Sequence, residues 1–244
     1  MEYLKLFSTE SDYVAYRDDK NKYLKPNVSF SDDKESVYYN YPPKPKTNGH
    51  DYVDLGLPSG TLWATMNVGA SKPSDYGLYF AWGDTSGYTA EQVGKDKQFT
   101  WNDYKFSIDG SSSKFSEYTT TGATLDLEDD AAHTNMGGSW HMPTPKQIQE
   151  LISNTDTGWT TSNGTGMTFT SKSDPSKSIF IPAAGVAWGG SVHYSGGDGY
   201  VWSSVLSTSN VGNGQYLGFG SGNASLDYYY RNFGFSVRGV LGYN

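Results

Sequence analysis

The residues of this chain that could carry acid–base or metal chemistry are few and scattered. Its four histidines, His50, His133, His141 and His193, match no zinc-ligand spacing, and an HExxH pair is absent. There is no cysteine, which removes disulfides, thiolate metal sites and cysteine nucleophiles together. No P-loop, no GxGxxG opening a helix and no GxSxG elbow occurs. The acidic run Glu128, Asp129 and Asp130 has oxygens to offer a calcium ion. It equally fits the acidic enrichment that a helix dipole favours in a first turn. These residues yield no catalytic candidate, no metal site and no cofactor, and the expectation is a protein that is not an enzyme.

Phenol is what the chain has instead. The stretch SLDYYYRNFGF, residues 225–235, holds three consecutive tyrosines between Asp227 and Arg231. A buried strand disfavours three phenols in a row because each buried hydroxyl needs a partner. A solvated loop disfavours so much aromatic surface. Tyrosine provides rigid, amphipathic contact area, and Ser, Gly and Asn add adaptable hydrogen bonding, the mixture of antibody paratopes. Gln215, Tyr216, Asp227, Tyr228, Tyr229, Tyr230 and Asn232 are therefore expected to form a recognition surface. Phe233 stands at the core rim or on that surface, and Ser207, Tyr194 and Trp188 complete the candidate set, Trp188 as the tryptophan expected to be exposed among the glycines of GVAWGGS. The competing reading is that the tyrosines pack structurally.

Elements that would position these residues follow from pattern. In QYLGFGS, alternation puts Leu217 and Phe219 on one face and Tyr216, Gly218 and Gly220 on the other. Leu217, Phe219, Phe235 and Val237, with Trp202, are assigned to the core. PTPKQIQELISN carries the strongest helix signal: Thr144 as N-cap, Pro145 at the first helical position, Gln147 closing a capping box, and Ile148, Leu151 and Ile152 as the buried stripe. A shorter helix is expected over residues 127–136, and a hairpin turns at Pro58-Ser59-Gly60. Residues 86–123 read as an irregular insertion. MTFTS, SIFIPAAG, YVWSS, QYLGFGS and FGFSVRGVL read as strands, so the class is α+β. Before the proline-rich YPPKPKTNGH, residues 1–45 form a separate block with strand-like runs at Tyr13–Tyr16, Val28–Phe30 and Val37–Tyr39, expected to be a small β module or docking arm; residues 46–244 form the main domain.

The 244 residues carry a net charge of -8, a field that repels phosphate backbones and anionic membrane surfaces and argues against nucleic acid as a partner. No segment is apolar for the roughly 20 residues a membrane-spanning helix needs, and MEYLKLFSTESDYVAY lacks a signal-peptide apolar run.

The blocks DYVDLGLPSGTLWATMNVG, YGLYFAWGDT, LEDDAAHTNMGGSWHMPTPKQIQEL, IFIPAAG, YVWSS and RNFGFSVRGV, in this order, resemble the Fibrobacter succinogenes major paralogous domain over residues 50–241. That domain family is abundant in gut Bacteroidales and their phages, and the resemblance implies a C-type-lectin-like fold in the branch shared with formylglycine-generating enzymes. The enzymes of that branch use cysteines that this chain lacks, so the fold transfers and the catalysis does not. Residues 205–233 also resemble the variable region of a diversity-generating retroelement target, with Gly214 where the family usually has alanine, a departure expected to loosen a turn. The function this implies is a variable surface that recognises a protein or glycan receptor on a cell, outside the cell or on a phage virion, with the N-terminal module attaching it to a larger assembly. A fixed-site carbohydrate-binding lectin, with or without calcium, is the alternative.

Overall fold

The helix of PTPKQIQELISN forms where its caps set it. In the computed structural model, which describes residues 3–7, 27–30, 37–40, 47–162 and 164–242, helix α1 spans Ala131–Met136 and α2 spans Pro145–Asn154. Thr144 Oγ1 accepts from the Gln147 amide at 3.3 Å, and Gln147 Oε1 accepts from the Thr144 amide at 2.8 Å. Such a cap contributes about 1 kcal/mol. The fully buried Ile148 and Leu151 each contribute about 1.5–3 kcal/mol. The box thus sets the boundary of α2, and burial holds it in place.

The helix expected over 127–136 is broken. Leu127–Asp129 is a 3-10 turn, and Asp130 is extended before α1 begins. Asp130 bends the chain because its carboxylate accepts from two amides at once, His133 at 2.9 Å and Met142 at 2.8 Å.

The chain divides into two units, Met1–Pro45 and Lys46–Asn244. The first contains β1 (Tyr3–Phe7), β2 (Asn27–Phe30) and β3 (Val37–Asn40), paired antiparallel in the order β1-β3-β2. The runs at 28–30 and 37–39 fall in β2 and β3; Tyr13–Tyr16 lies outside the described residues, and β1 was not anticipated.

In the second unit β4 (Tyr52–Asp54) and β5 (Leu62–Ala64) form the expected hairpin. A meander follows α2: β6 (Thr155–Thr160), β7 (Gly166–Ser171) and β8 (Ser178–Pro182). The short hairpin of β9 (Val186–Trp188) and β10 (Ser191–His193) comes next. Then β11 (Gly199–Leu206), β12 (Asn213–Phe219) and β13 (Ala224–Tyr230) pair antiparallel in sequence order. Last, β14 (Val240–Leu241) joins β5. Residues 86–123 hold one 3-10 turn and isolated bridges but no paired strand. Small antiparallel sheets and two helices among the described residues make this a strand-rich α+β chain.

FGFSVRGVL is not one strand. Gly234 bridges Ala187, Phe235 bridges Phe80 and Ser236 bridges Val201, so successive residues bond different elements and no ladder develops until β14.

β12 is the middle strand and is covered on both faces. Leu217 and Phe219 meet Ile148 and Leu151 of α2 with Phe169 and Ile181 of the meander. Tyr216, on the opposite face, joins Trp82, Trp202, Phe235 and Val237. The five residues assigned to the core are all buried, but they belong to two layers. Gly214 lies in β12, not in a turn, and a Cβ there would stand 2.9 Å from both Trp202 and Trp82. The glycine is a packing requirement of two indoles.

Candidate functional site

The tyrosine run is the edge strand β13 itself. Its register sets Gly214 opposite Tyr229, Gln215 opposite Tyr228 and Tyr216 opposite Asp227. Alternation then divides the run. Leu226 packs on the layer beneath α2, so Tyr228 shares that sheet face with Gln215. Tyr229 and Asp227 share the other face with Tyr216. At the strand end the Tyr230 ring meets Trp101 at 5.9 Å, Tyr229 at 5.2 Å and Phe233 at 5.7 Å. Tyr228, Tyr229 and Tyr230 are 51%, 45% and 46% exposed.

The strand is pinned where it ends. Arg231 is fully buried. Its guanidinium donates to the carbonyls of Tyr118 at 3.0 Å, Val211 at 3.2 Å and Glu117 at 3.1 Å, and lies 3.6 Å from the Phe115 ring centre. Burial pulls its pKa below the usual arginine value. Its backbone accepts from the Trp82 amide and donates to Gly212. Asn232 Nδ2 donates to the Phe99 carbonyl at 2.9 Å, and the Phe233 amide turns back to Tyr230. The exposed phenols thus start from a backbone that is pinned at its end.

On the Tyr229 face the rings enclose a concavity of about 330 Å³. Tyr200, Tyr216 and Phe235 line its deeper part, with Tyr200 and Tyr216 each 4.9 Å from Phe235. Val186, Trp188, Tyr194, Tyr229 and Phe233 line the rest. Trp188 sits on the middle of three neighbouring segments, because Ala187 bridges Gly234 on one side and Val192 on the other. Its indole stacks with His193 at 4.4 Å and with Phe233 at 5.7 Å. Burial first, then the charges of Asp198, Tyr194 and Tyr229, push the Tyr200 phenol up to about 12. Tyr216 is raised further, again chiefly by burial and then by Asp227.

Tyr194 is 64% exposed and adopts φ 58°. Positive φ strains a bulky L-residue. Phe99 and Tyr118 share this conformation, but Phe99 is buried and the Tyr118 hydroxyl donates to Asp129 at 2.6 Å. Tyr194 has no comparable anchor among the described residues.

The candidate residues therefore separate. Trp188, Tyr194, Tyr229 and Phe233 come together around the concavity, Asp227 stands on the Tyr229 face, exposed, and Tyr230 packs beside them at the strand end against Trp101, Tyr229 and Phe233. Tyr228 projects to the opposite face. Gln215 lies there too, half-buried, its Nε2 donating to the Leu206 carbonyl at 2.8 Å. It lines a separate groove of about 600 Å³ with Thr144 and Glu150. Three candidates are buried. Tyr216 is only 7% exposed, because both faces of β12 are covered. Asn232 is buried by its bond to Phe99. Ser207 is buried and holds Ser209 through Oγ at 3.0 Å. Tyr200 and His193 were missed as site neighbours; the alternation of Tyr200 with Trp202 in YVWSS was the available sign for the first.

Two of the three residues of the acidic run are already engaged, and Glu128 is exposed. Asp129 binds Lys105 and Tyr118, and Asp130 caps α1 and takes the Met142 amide. Among the described residues no helix is long and apolar enough to cross a membrane. Comparison of the chain with protein-family models, curated proteins and solved structures found no match.

Proposed function

We propose that this chain is a non-enzymatic binding protein that presents its tyrosine-rich C-terminal surface to a protein or glycan receptor on a cell, on a C-type-lectin-like framework. The observation that carries the reading is the exposure of Tyr228, Tyr229 and Tyr230 on an edge strand whose end is fixed by buried Arg231 and Asn232. Exposed phenols on a pinned backbone lose little entropy on binding, which is how rigid paratopes gain affinity. The N-terminal three-stranded unit attaches the domain to a surface fibre or virion.

Diversification of residues 205–233 fits the same division. Thr208, Ser209, Asn210, Ser225, Asp227 and the three tyrosines are exposed and free to change at little cost to folding. Ser207, Gly214, Tyr216, Arg231 and Asn232 are buried. Neighbouring DNA tests this: a reverse transcriptase gene and a near-copy of these codons should differ at adenines of the exposed positions and match at the buried ones. Differences concentrated at Tyr216 and Asn232 would defeat the idea of diversification.

The recognition itself is tested by labelling the full chain and measuring its adhesion to a panel of intact bacterial strains. The reading expects strain-selective adhesion that disappears when Tyr229 and Tyr230 are changed to alanine. Adhesion unaffected by that pair would refute it. A glycan array with hits lost in chelator would transfer the assignment to a calcium-assisted lectin.

A further inference from the structure

The concavity beside β13 is walled chiefly by aromatic rings, four of them phenols, and has carboxylates nearby. Asp227 stands across from Tyr216 on the same sheet face. Asp198 lines an adjoining hollow that shares Tyr200 as a wall. Both carboxylates act on the Tyr216 phenol, and Asp198 acts on Tyr200. Among the described residues neither carboxylate takes part in an ion pair. Aromatic faces attract cations, most strongly where water is excluded. A primary ammonium is a compact, strongly hydrated point charge that gives up its water to ring faces reluctantly. An alkylated ammonium carries its charge on methyl groups and asks for no hydrogen bond. A sugar stacking on Trp188 would need a free indole face, and His193 and Phe233 stack against that ring.

We propose that this cup binds an alkylated ammonium group, with Tyr200, Tyr229 and Phe233 supplying the rings and Asp198 and Asp227 the countercharge. The inference rests on the reading of this face as a recognition surface and specifies its ligand. The group occurs on methylated lysine side chains and on choline headgroups. The chain's net charge of -8 favours a carrier with net positive charge, so a methylated lysine in a basic segment is the better fit than zwitterionic phosphocholine.

The test titrates the full chain with choline and with 3,3-dimethyl-1-butanol, its neutral carbon isostere, by calorimetry. Choline should bind about tenfold more tightly than the isostere, within the range of a desolvated cation–π site. Asp227→Asn, at an exposed position, should weaken choline about threefold or more at low salt and leave the isostere unchanged. Tyr229→Ala should weaken both, with the melting temperature as a control on folding. Equal binding of the two probes would overturn the cation assignment while leaving an apolar recognition site. Binding of neither would overturn it as well, and the adhesion assay would still judge the recognition reading separately. A trimethyl-lysine peptide and phosphocholine form the last arm. Tighter peptide binding supports the proposed source, and tighter phosphocholine binding overturns that source.

Discussion

Replacing Tyr194 by glycine should separate what the backbone needs from what the surface does. Tyr194 has φ 58° and is 64% exposed. Holding an L-residue in this left-handed region costs about 1–2 kcal/mol. Glycine removes that cost but adds about 0.5–1 kcal/mol through the greater freedom of the unfolded chain. The exposed ring has little packing to lose, its neighbour His193 lying 6.2 Å away by ring centres. Tyr194→Gly should therefore change stability by between about 0 and +1.5 kcal/mol, a rise of up to about 5 °C in melting temperature for a chain of this size. Tyr194→Ala keeps the left-handed penalty and should melt below the glycine variant. Both should weaken ligand capture, because both remove a ring from the rim of the concavity. Differential scanning calorimetry and the adhesion assay read the two effects independently. A fall of several degrees in Tyr194→Gly would show that the ring packs, and unchanged capture by both variants would remove Tyr194 from the site.

Other outcomes follow from the same geometry. Gly214→Ala should destabilise the chain by about 1–3 kcal/mol, as overpacking does, measured by urea unfolding; a neutral result would mean that Trp82 and Trp202 can separate. Arg231→Ala should cost at least about 2 kcal/mol, since it empties a fully buried site and leaves three carbonyls without their donor, and should reduce capture by freeing the end of β13. The Tyr200 phenol, raised to about 12 from the usual 10.0, contributes stability that is fully present below pH 10 and is lost as pH rises through the folded value. Absorbance titration of wild type against Tyr200→Phe should show that the variant lacks a late-ionising phenol and loses less stability between pH 10 and 12; identical curves would contradict the burial assigned to Tyr200.

Local chemistry made parts of this fold readable. The capping box of α2 is complete within four residues, Thr144 to Gln147, and the β4–β5 hairpin announces itself through Pro58-Ser59-Gly60. What could not be read depends on distant partners. Asn232 looks like a recognition residue until Phe99, 133 positions away, accepts its amide. Alternation alone assigns Tyr216 to the surface, because it implies one buried face. The neighbours Gly214 and Gly218 were the overlooked sign: a strand with such small flanking residues leaves room for rings from other elements, and Trp82 and Trp202 occupy it at Gly214. The split of Tyr228 from Tyr229 needed the pairing of β12 with β13, since three identical residues carry no internal phase.

The most direct measurement is the triple substitution of Tyr228, Tyr229 and Tyr230 to alanine, followed by thermal melting and adhesion to a responsive strain. Rings about half exposed should cost little when truncated, so the melting temperature should move by no more than about 3 °C while adhesion is abolished. A loss of about 3–5 kcal/mol for each ring, the mark of buried aromatic truncation, or adhesion that survives intact, would contradict the account.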